Sequence, residues 1–353
     1  MPSRPADASG MPADKPLLSV LRGERRDPVP MWMMRQAGRY LPEYRQLRTE
    51  KGSFLELVYD GDAAAEVTLQ PLKRFPELDA AILFSDILII PFAIGQNLTF
   101  VAGEGPRLTP PLMDSNLDEL TAYPARLDPI YETVRKVKAE LDPSTTLIGF
   151  AGSAWTVATY MVAGQGSRDH SETRRLAYSD PARFGALVER IEQVTLDYLS
   201  GQIKAGAEAV QLFDSWAGSL SPAQFDHWVI APTARLVAKL SKKHPDIPVI
   251  GFPKGAGGKL AAYARETGVS AIGLDETVDP VWAAKELPDS LPVQGNLDPL
   301  ALIAGGKELK AAVKHILDAF ADRPHIFNLG HGILPDTPIA HVEALIAEVK
   351  GGR

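Results

Sequence analysis

The 353-residue sequence contains no cysteine, which excludes disulfides, Cys-ligated zinc, iron–sulfur clusters and thiolate nucleophiles. Stability and any catalysis must then come from packing and from oxygen, nitrogen and charged groups. Basic residues are also in deficit, 37 Lys and Arg against 44 Asp and Glu, so the net charge of −7 repels nucleic acid and anionic membranes; neither is an expected partner. No apolar run approaches the roughly 20 residues needed to cross a bilayer, and the first sixteen residues lack the apolar core of a signal peptide. A cytoplasmic location is expected. Other absences discriminate among chemistries: there is no G-x-G-x-x-G after a strand, no Walker loop, no G-x-S-x-G and no H-E-x-x-H.

What is present is 45% hydrophobic residues, enough for a sizeable core, in a repeating pattern. Short apolar or β-branched runs recur at 30–34, 80–86, 146–153, 209–215, 248–254, 269–275, 292–298 and 325–331. Between them lie amphipathic stretches. In the segment 181–206, Phe184, Leu187, Ile191, Val194 and Tyr198 recur at steps of three and four, which predicts a helix. Eight buried strands alternating with helices, with no linker between them, predict one α/β domain, a closed (β/α)8 TIM barrel spanning 17–353. The alternation in 94–108 predicts a hairpin inserted after the second strand. Residues 1–16, rich in Pro, Ala, Asp and Ser, read as a disordered tail.

In a parallel barrel the active site lies at the C-terminal ends of the strands. The polar residues there are Arg35, Arg39, Asp86, Ser153, Ser215, Lys254, Asp275 or Glu276, Asp298 and His331. A helix N-cap is the competing reading for Asp86, Asp275 and Asp298. His331 lies between Gly330 and Gly332, where the backbone can approach a ligand, although a lone histidine is often structural. Arg35 and Arg39 bracket a glycine-containing turn directly after a strand, the placement expected of guanidinium forks that grip carboxylate or phosphate. Arg45 and Arg48 fit a solvated helix face. The expected ligand is a polyanion.

Several long blocks carry a resemblance. PVPMWMMRQAGRYLPEYR, ILFSDILIIPFAIG, GFAGSAWTVATYMVAGQGS, QLFDSWAGSLSP and NLGHGI together resemble the uroporphyrinogen decarboxylase family, over nearly the whole chain after the tail. The resemblance implies a single (β/α)8 barrel, a homodimer, and tetrapyrrole chemistry without metal or organic cofactor. The implied substrate is uroporphyrinogen, whose four acetate side chains become methyls with release of carbon dioxide. Carried over by position, the family's binding residues fall on Arg35, Gln36, Ala37, Gly38, Arg39, Asp86, Tyr160, Ser215 and His331, with Asp86 and Arg35 as catalytic candidates. Two alternatives remain: a corrinoid-dependent methyltransferase of the same barrel type, against which the absence of cysteine weighs, and a non-catalytic tetrapyrrole-binding protein.

Overall fold

The structure is a computed structural model that describes residues 14–101 and 105–351. Its main sheet is wholly parallel and follows chain order: β1 (Ala80–Ile82), β4 (Thr146–Gly152), β5 (Ala209–Asp214), β6 (Val249–Pro253), β7 (Ala271–Gly273), β8 (Val293–Gln294) and β9 (His325–Ile326). These seven strands are seven of the eight predicted runs. The eighth, at 30–34, closes the ring with single contacts. Met31 bridges Phe327 in parallel, Phe327 N–H donates to the Pro30 carbonyl at 2.9 Å, and Asp79 N–H donates to the Met31 carbonyl at 2.9 Å. The first run therefore joins the last strand to β1.

Strands β4 to β6 are buried almost throughout because helices cover their outer face and the barrel interior fills the inner one. Part of that interior is polar. Trp32 Nε1–H donates to Gln294 Oε1 at 2.9 Å, and Gln294 Nε2 donates to Gln211 Oε1 at 3.0 Å. All three residues are buried, so this chain ties the closing segment, β8 and β5 together across the barrel.

The long helix Pro181–Ala205 matches the predicted periodicity, with Phe184, Leu187, Ile191 and Tyr198 fully or nearly buried. It starts where the Asp180 carboxylate accepts the Arg183 N–H and Pro181 occupies the first turn, and it stops at Gly206, whose φ of 125° suits glycine. Between β1 and β4, β2 (Asn97–Val101) and β3 (Gly105–Thr109) pair antiparallel, with Asn97 opposite Thr109. Their connection lies outside the described residues.

Of the segment read as a disordered tail, residues 1–13 also lie outside the described residues, but Lys15 and Pro16 belong to the fold. Pro16 opens the helix Pro16–Leu21, and Lys15 Nζ reaches Glu208 and the Thr145 carbonyl, both at 2.8 Å. Among the described residues, no helix is long and apolar enough to cross a membrane.

Candidate active site

The turn after the first run is built to hold Arg35 in one place. Met34 N–H donates to Asn328 Oδ1 at 2.9 Å, and the Met34 carbonyl accepts from Ile333 N–H at 2.9 Å. On the other side, Gln36 Oε1 accepts from Met33 N–H at 3.1 Å and its Nε2 donates to the Ala80 carbonyl at 2.9 Å. Arg35, pinned at both neighbours, adopts a left-handed backbone with φ of 60°. Such a conformation costs a non-glycine residue about 1 to 2 kcal/mol and persists only where the surroundings over-determine it. The side chain then runs over Gly332, where an added Cβ would lie 2.4 Å from Arg35 Cδ. Gly332 is therefore required by close approach.

Arg39 follows on the same loop and is exposed. Its carbonyl is held by Arg45 Nη1 at 2.7 Å, so Arg45 serves the loop as well as presenting an outer face. Arg48 likewise donates to a backbone carbonyl, that of Gly52. Neither Arg35 nor Arg39 has a carboxylate partner within 4 Å among the described residues. The backbone N–H groups of Ala37 and Gly38 also have no partner there. Gln36 differs from its neighbours: it is fully buried, and its amide is occupied in holding the turn.

Asp86 lies past the end of β1 but is not the N-cap of the next helix, whose N-cap is Leu88. Oδ1 accepts the Leu88 N–H at 2.8 Å, which closes the turn ahead of the helix Ile89–Ile94. Oδ2 has no protein donor among the described residues, and the residue is partly accessible. Burial raises the carboxyl above its ordinary value, while the Leu88 hydrogen bond and the positive charge of Arg35 oppose the rise. Tyr160, on the helix Ala154–Ala163, senses the charges of Asp86 and Arg35, and burial pushes its phenol up. Its ring centroid is 6.4 Å from that of Trp216, which in turn lies 4.8 Å from His170.

His331 faces the same mouth. Burial first, then the charges of Lys254 and Arg35, push it down to about 4, against the pull of Asp275. It is therefore neutral at physiological pH, able to accept or donate one hydrogen bond but not to act as a resident cation. Ser215, just past β5, is partly accessible. Its neighbour Asp214 points instead into the helix layer, accepting from Thr156 Oγ1; Thr156 also accepts the Trp216 N–H at 3.1 Å. Thr156 thus anchors the segment that carries Ser215 and Trp216.

Three further strand-end residues, Asp298, Asp275 and Ser153, are structural. Asp298 caps the helix Pro299–Ala304 through Leu300 N–H, as the N-cap reading expects. Asp275 is buried, accepts from Thr277 and from Gly255 N–H at 2.7 Å, and so ties the loop after β7 to the loop after β6. Ser153 is buried at the start of the helix Ala154–Ala163.

The chain as a whole matches a known family. The sequence model for uroporphyrinogen decarboxylase (URO-D) matches residues 12–352. The uroporphyrinogen decarboxylase of Rhizorhabdus wittichii is 68% identical over 344 residues, covering 97% of this chain and all of that protein. That of Sphingopyxis alaskensis is 68% identical over 338 residues, covering 96% and 98%. The chain belongs to the uroporphyrinogen decarboxylase family. Among solved structures, a methyltransferase from Methanosarcina mazei superposes with a TM-score of 0.80 at 18% identity, covering 95% of this chain and 97% of its own; this likeness concerns the fold alone.

Three further residues near these side chains are not among the candidates read from the sequence. Asn328 holds the Arg35 turn, Trp216 packs beside Tyr160, and the buried His170 packs against Trp216. His170 is buried with a φ of 54°, in a loop without periodicity, so only its three-dimensional placement reveals it. Asn328 could have been suspected as a polar residue inside an otherwise apolar strand run.

Proposed function

We propose that this chain is a carboxy-lyase that converts uroporphyrinogen III to coproporphyrinogen III by removing four carboxyl groups, with the residues around Asp86 as its active site. The observation that carries the site assignment is the accessible Asp86 Oδ2, without a protein donor and within the field of Arg35.

Losing carbon dioxide directly from an acetate on an electron-rich pyrrole would leave an unstabilised carbanion. Protonating the adjacent ring carbon gives an iminium-like cation instead. The C–CO2 bond then breaks, its electron pair neutralises the ring, and an exocyclic methylene forms. Protonation of that methylene carbon and loss of the ring proton leave a methyl group. Each round consumes one proton and releases one carbon dioxide.

An ionised carboxylate only accepts hydrogen bonds, and the four pyrrole N–H groups of a cupped macrocycle converge, so Asp86 collects them and stabilises the cation. At about 4 Å and an effective dielectric of about 20, such a charge pair is worth ~4 kcal/mol before desolvation. Arg35 and Arg39 neutralise substrate carboxylates, helped by the N–H groups of Ala37 and Gly38. Arg35 also positions water that delivers the proton, since a guanidinium is itself a poor acid. Tyr160, Ser215 and His331 donate to or accept from the peripheral groups, while Gln36 acts by holding the Arg35 turn. The protein works as a cytoplasmic homodimer of single-domain subunits, which sedimentation at micromolar concentration checks.

The test is anaerobic incubation of metal-stripped protein with uroporphyrinogen, counting carboxylates in the oxidised products. A fall from eight to four is expected. Tight binding without any fall would leave a tetrapyrrole carrier, and no binding would overturn the reading.

His331 supplies a separate check. Because it is neutral, His331→Asn keeps a hydrogen-bonding group and retains measurable turnover, with kcat/KM reduced about tenfold. In stability the sign follows from linkage: an unfolded histidine binds a proton below about 6.5 and the folded one only below about 4. The wild type therefore loses stability as pH falls from about 6.5 to 4, and the Asn variant loses less. A variant that unfolds along the same pH curve as the wild type would contradict this.

A further inference from the structure

We propose that Lys254 is a substrate-binding cation on the side of the mouth opposite Arg35, and that Glu276 is the internal carboxylate it releases when a substrate carboxylate arrives. The inference rests on the decarboxylase reading above.

Lys254 follows β6, at the level of the other site residues, on a backbone fixed from both sides. Its N–H donates to the Asp214 carbonyl and its carbonyl accepts from Gly218 N–H, both at 3.0 Å. The next residue, Gly255, donates to buried Asp275 at 2.7 Å, and an added Cβ on Gly218 would lie 2.6 Å from the Gly255 carbonyl oxygen. The loops after β5, β6 and β7 are thereby locked together, and the root of the lysine is preorganised. Its ammonium is not. The Glu276 carboxylate stands 3.6 Å away, too long for a hydrogen bond, and no acceptor within hydrogen-bonding distance occurs among the described residues. Its charge, with that of Arg35, helps to push the His331 ring down, in keeping with its place after β6.

Glu276 is similarly half committed. Oε1 faces Lys254, while Oε2 is buried without a hydrogen-bond partner, a costly arrangement for a carboxylate. An acid at the entrance of a site for an octa-anion repels the ligand unless a cation answers it. A loosely held Lys–Glu pair meets that requirement, since the lysine can turn to a carboxylate that offers shorter hydrogen bonds at little cost in Coulomb energy.

A purely structural role for Lys254, neutralising Glu276, predicts a different pattern from a binding role, and a double-variant cycle separates them. Lys254→Met is expected to raise KM for uroporphyrinogen about tenfold with a much smaller change in kcat, and Lys254→Arg to restore most of the loss. Glu276→Gln is expected to lower KM. The double variant decides: under the binding role its KM stays well above that of Glu276→Gln alone, whereas a return to the Glu276→Gln value overturns the proposal.

NMR titration of the His331 ring in substrate-free protein gives an independent readout. The pKa rises in Lys254→Met if the ammonium faces the mouth, and an unmoved pKa also overturns the proposal. Should the wild-type protein fail to turn over uroporphyrinogen, the decarboxylase reading fails by itself. The same cycle is then read from the Kd of uroporphyrin, an octacarboxylate, where an equal Kd for wild type and Lys254→Met refutes the role.

Discussion

Asp86→Asn is expected to lower kcat by a factor of about 1000 while leaving the fold intact and slightly more stable at neutral pH. The two effects come from the two oxygens. Asparagine still accepts the Leu88 N–H through Oδ1, so the turn ahead of the helix Ile89–Ile94 is kept. What is lost is the negative charge, and with it the acceptor that the developing ring cation needs. The stability gain follows from the raised carboxyl pKa. Between the unfolded value and the higher folded one, the folded state binds more protons, so the aspartate destabilises the protein increasingly as pH rises through that window. Above it the wild type carries the whole penalty and the Asn variant none. Thermal unfolding at pH 7.5 and single-turnover kinetics check both halves. Activity within tenfold of wild type would remove Asp86 from the chemistry, and a large loss of stability would make its main role structural. In the wild type, the acid limb of kcat/KM is expected above the usual aspartate value.

The fold was legible because a buried parallel sheet writes itself as β-branched runs separated by amphipathic helices, and the helix 181–205 shows how little tertiary context such a pattern needs. The first run was harder: the segment 30–34 joins the sheet through single bridges, so its apolar character reflects burial of Met31, Trp32 and Met33 more than a ladder. Site residues divide along similar lines. A charged residue just past an apolar run, such as Asp86, Lys254 or His331, is visible by position. Whether it caps, clamps or stays open depends on which donors the fold brings to it, which is why Asp275 proved to be a clamp on Gly255 while Asp86 closes a local turn through one oxygen and leaves the other open. Gln36 shows the limit of transfer by motif, since its place in a binding block says nothing of an amide buried between Met33 and Ala80.

Arg35→Gly should separate stability from activity still more sharply. Arginine at φ 60° is strained, and glycine adopts that conformation freely, so relief of strain is expected to stabilise the fold by about 1 kcal/mol. The side chain is exposed and makes no ion pair within 4 Å among the described residues, so little packing is lost beyond its contact over Gly332. Activity has no such reserve. Arg35 is the cation whose charge acts on Asp86, Tyr160 and His331 together; under the proposed mechanism its loss removes both a carboxylate anchor and the group that orients the proton-delivering water. A fall in kcat/KM of at least about 100-fold is expected. Arg35→Lys keeps the charge and the strain but lacks the planar fork, so it should recover part of the activity and none of the stability. Gly332→Ala probes the same geometry from the other side: the new Cβ displaces the Arg35 stem, and activity should fall although no charge has changed. If Arg35→Gly were less stable than wild type, the left-handed backbone would be supported by side-chain contacts that outweigh its strain. If it kept full activity, the polyanion would have to be gripped without Arg35, by Arg39, Lys254 and the neutral groups of the mouth, and the three substitutions together discriminate these cases because each removes a different one of charge, fork and position.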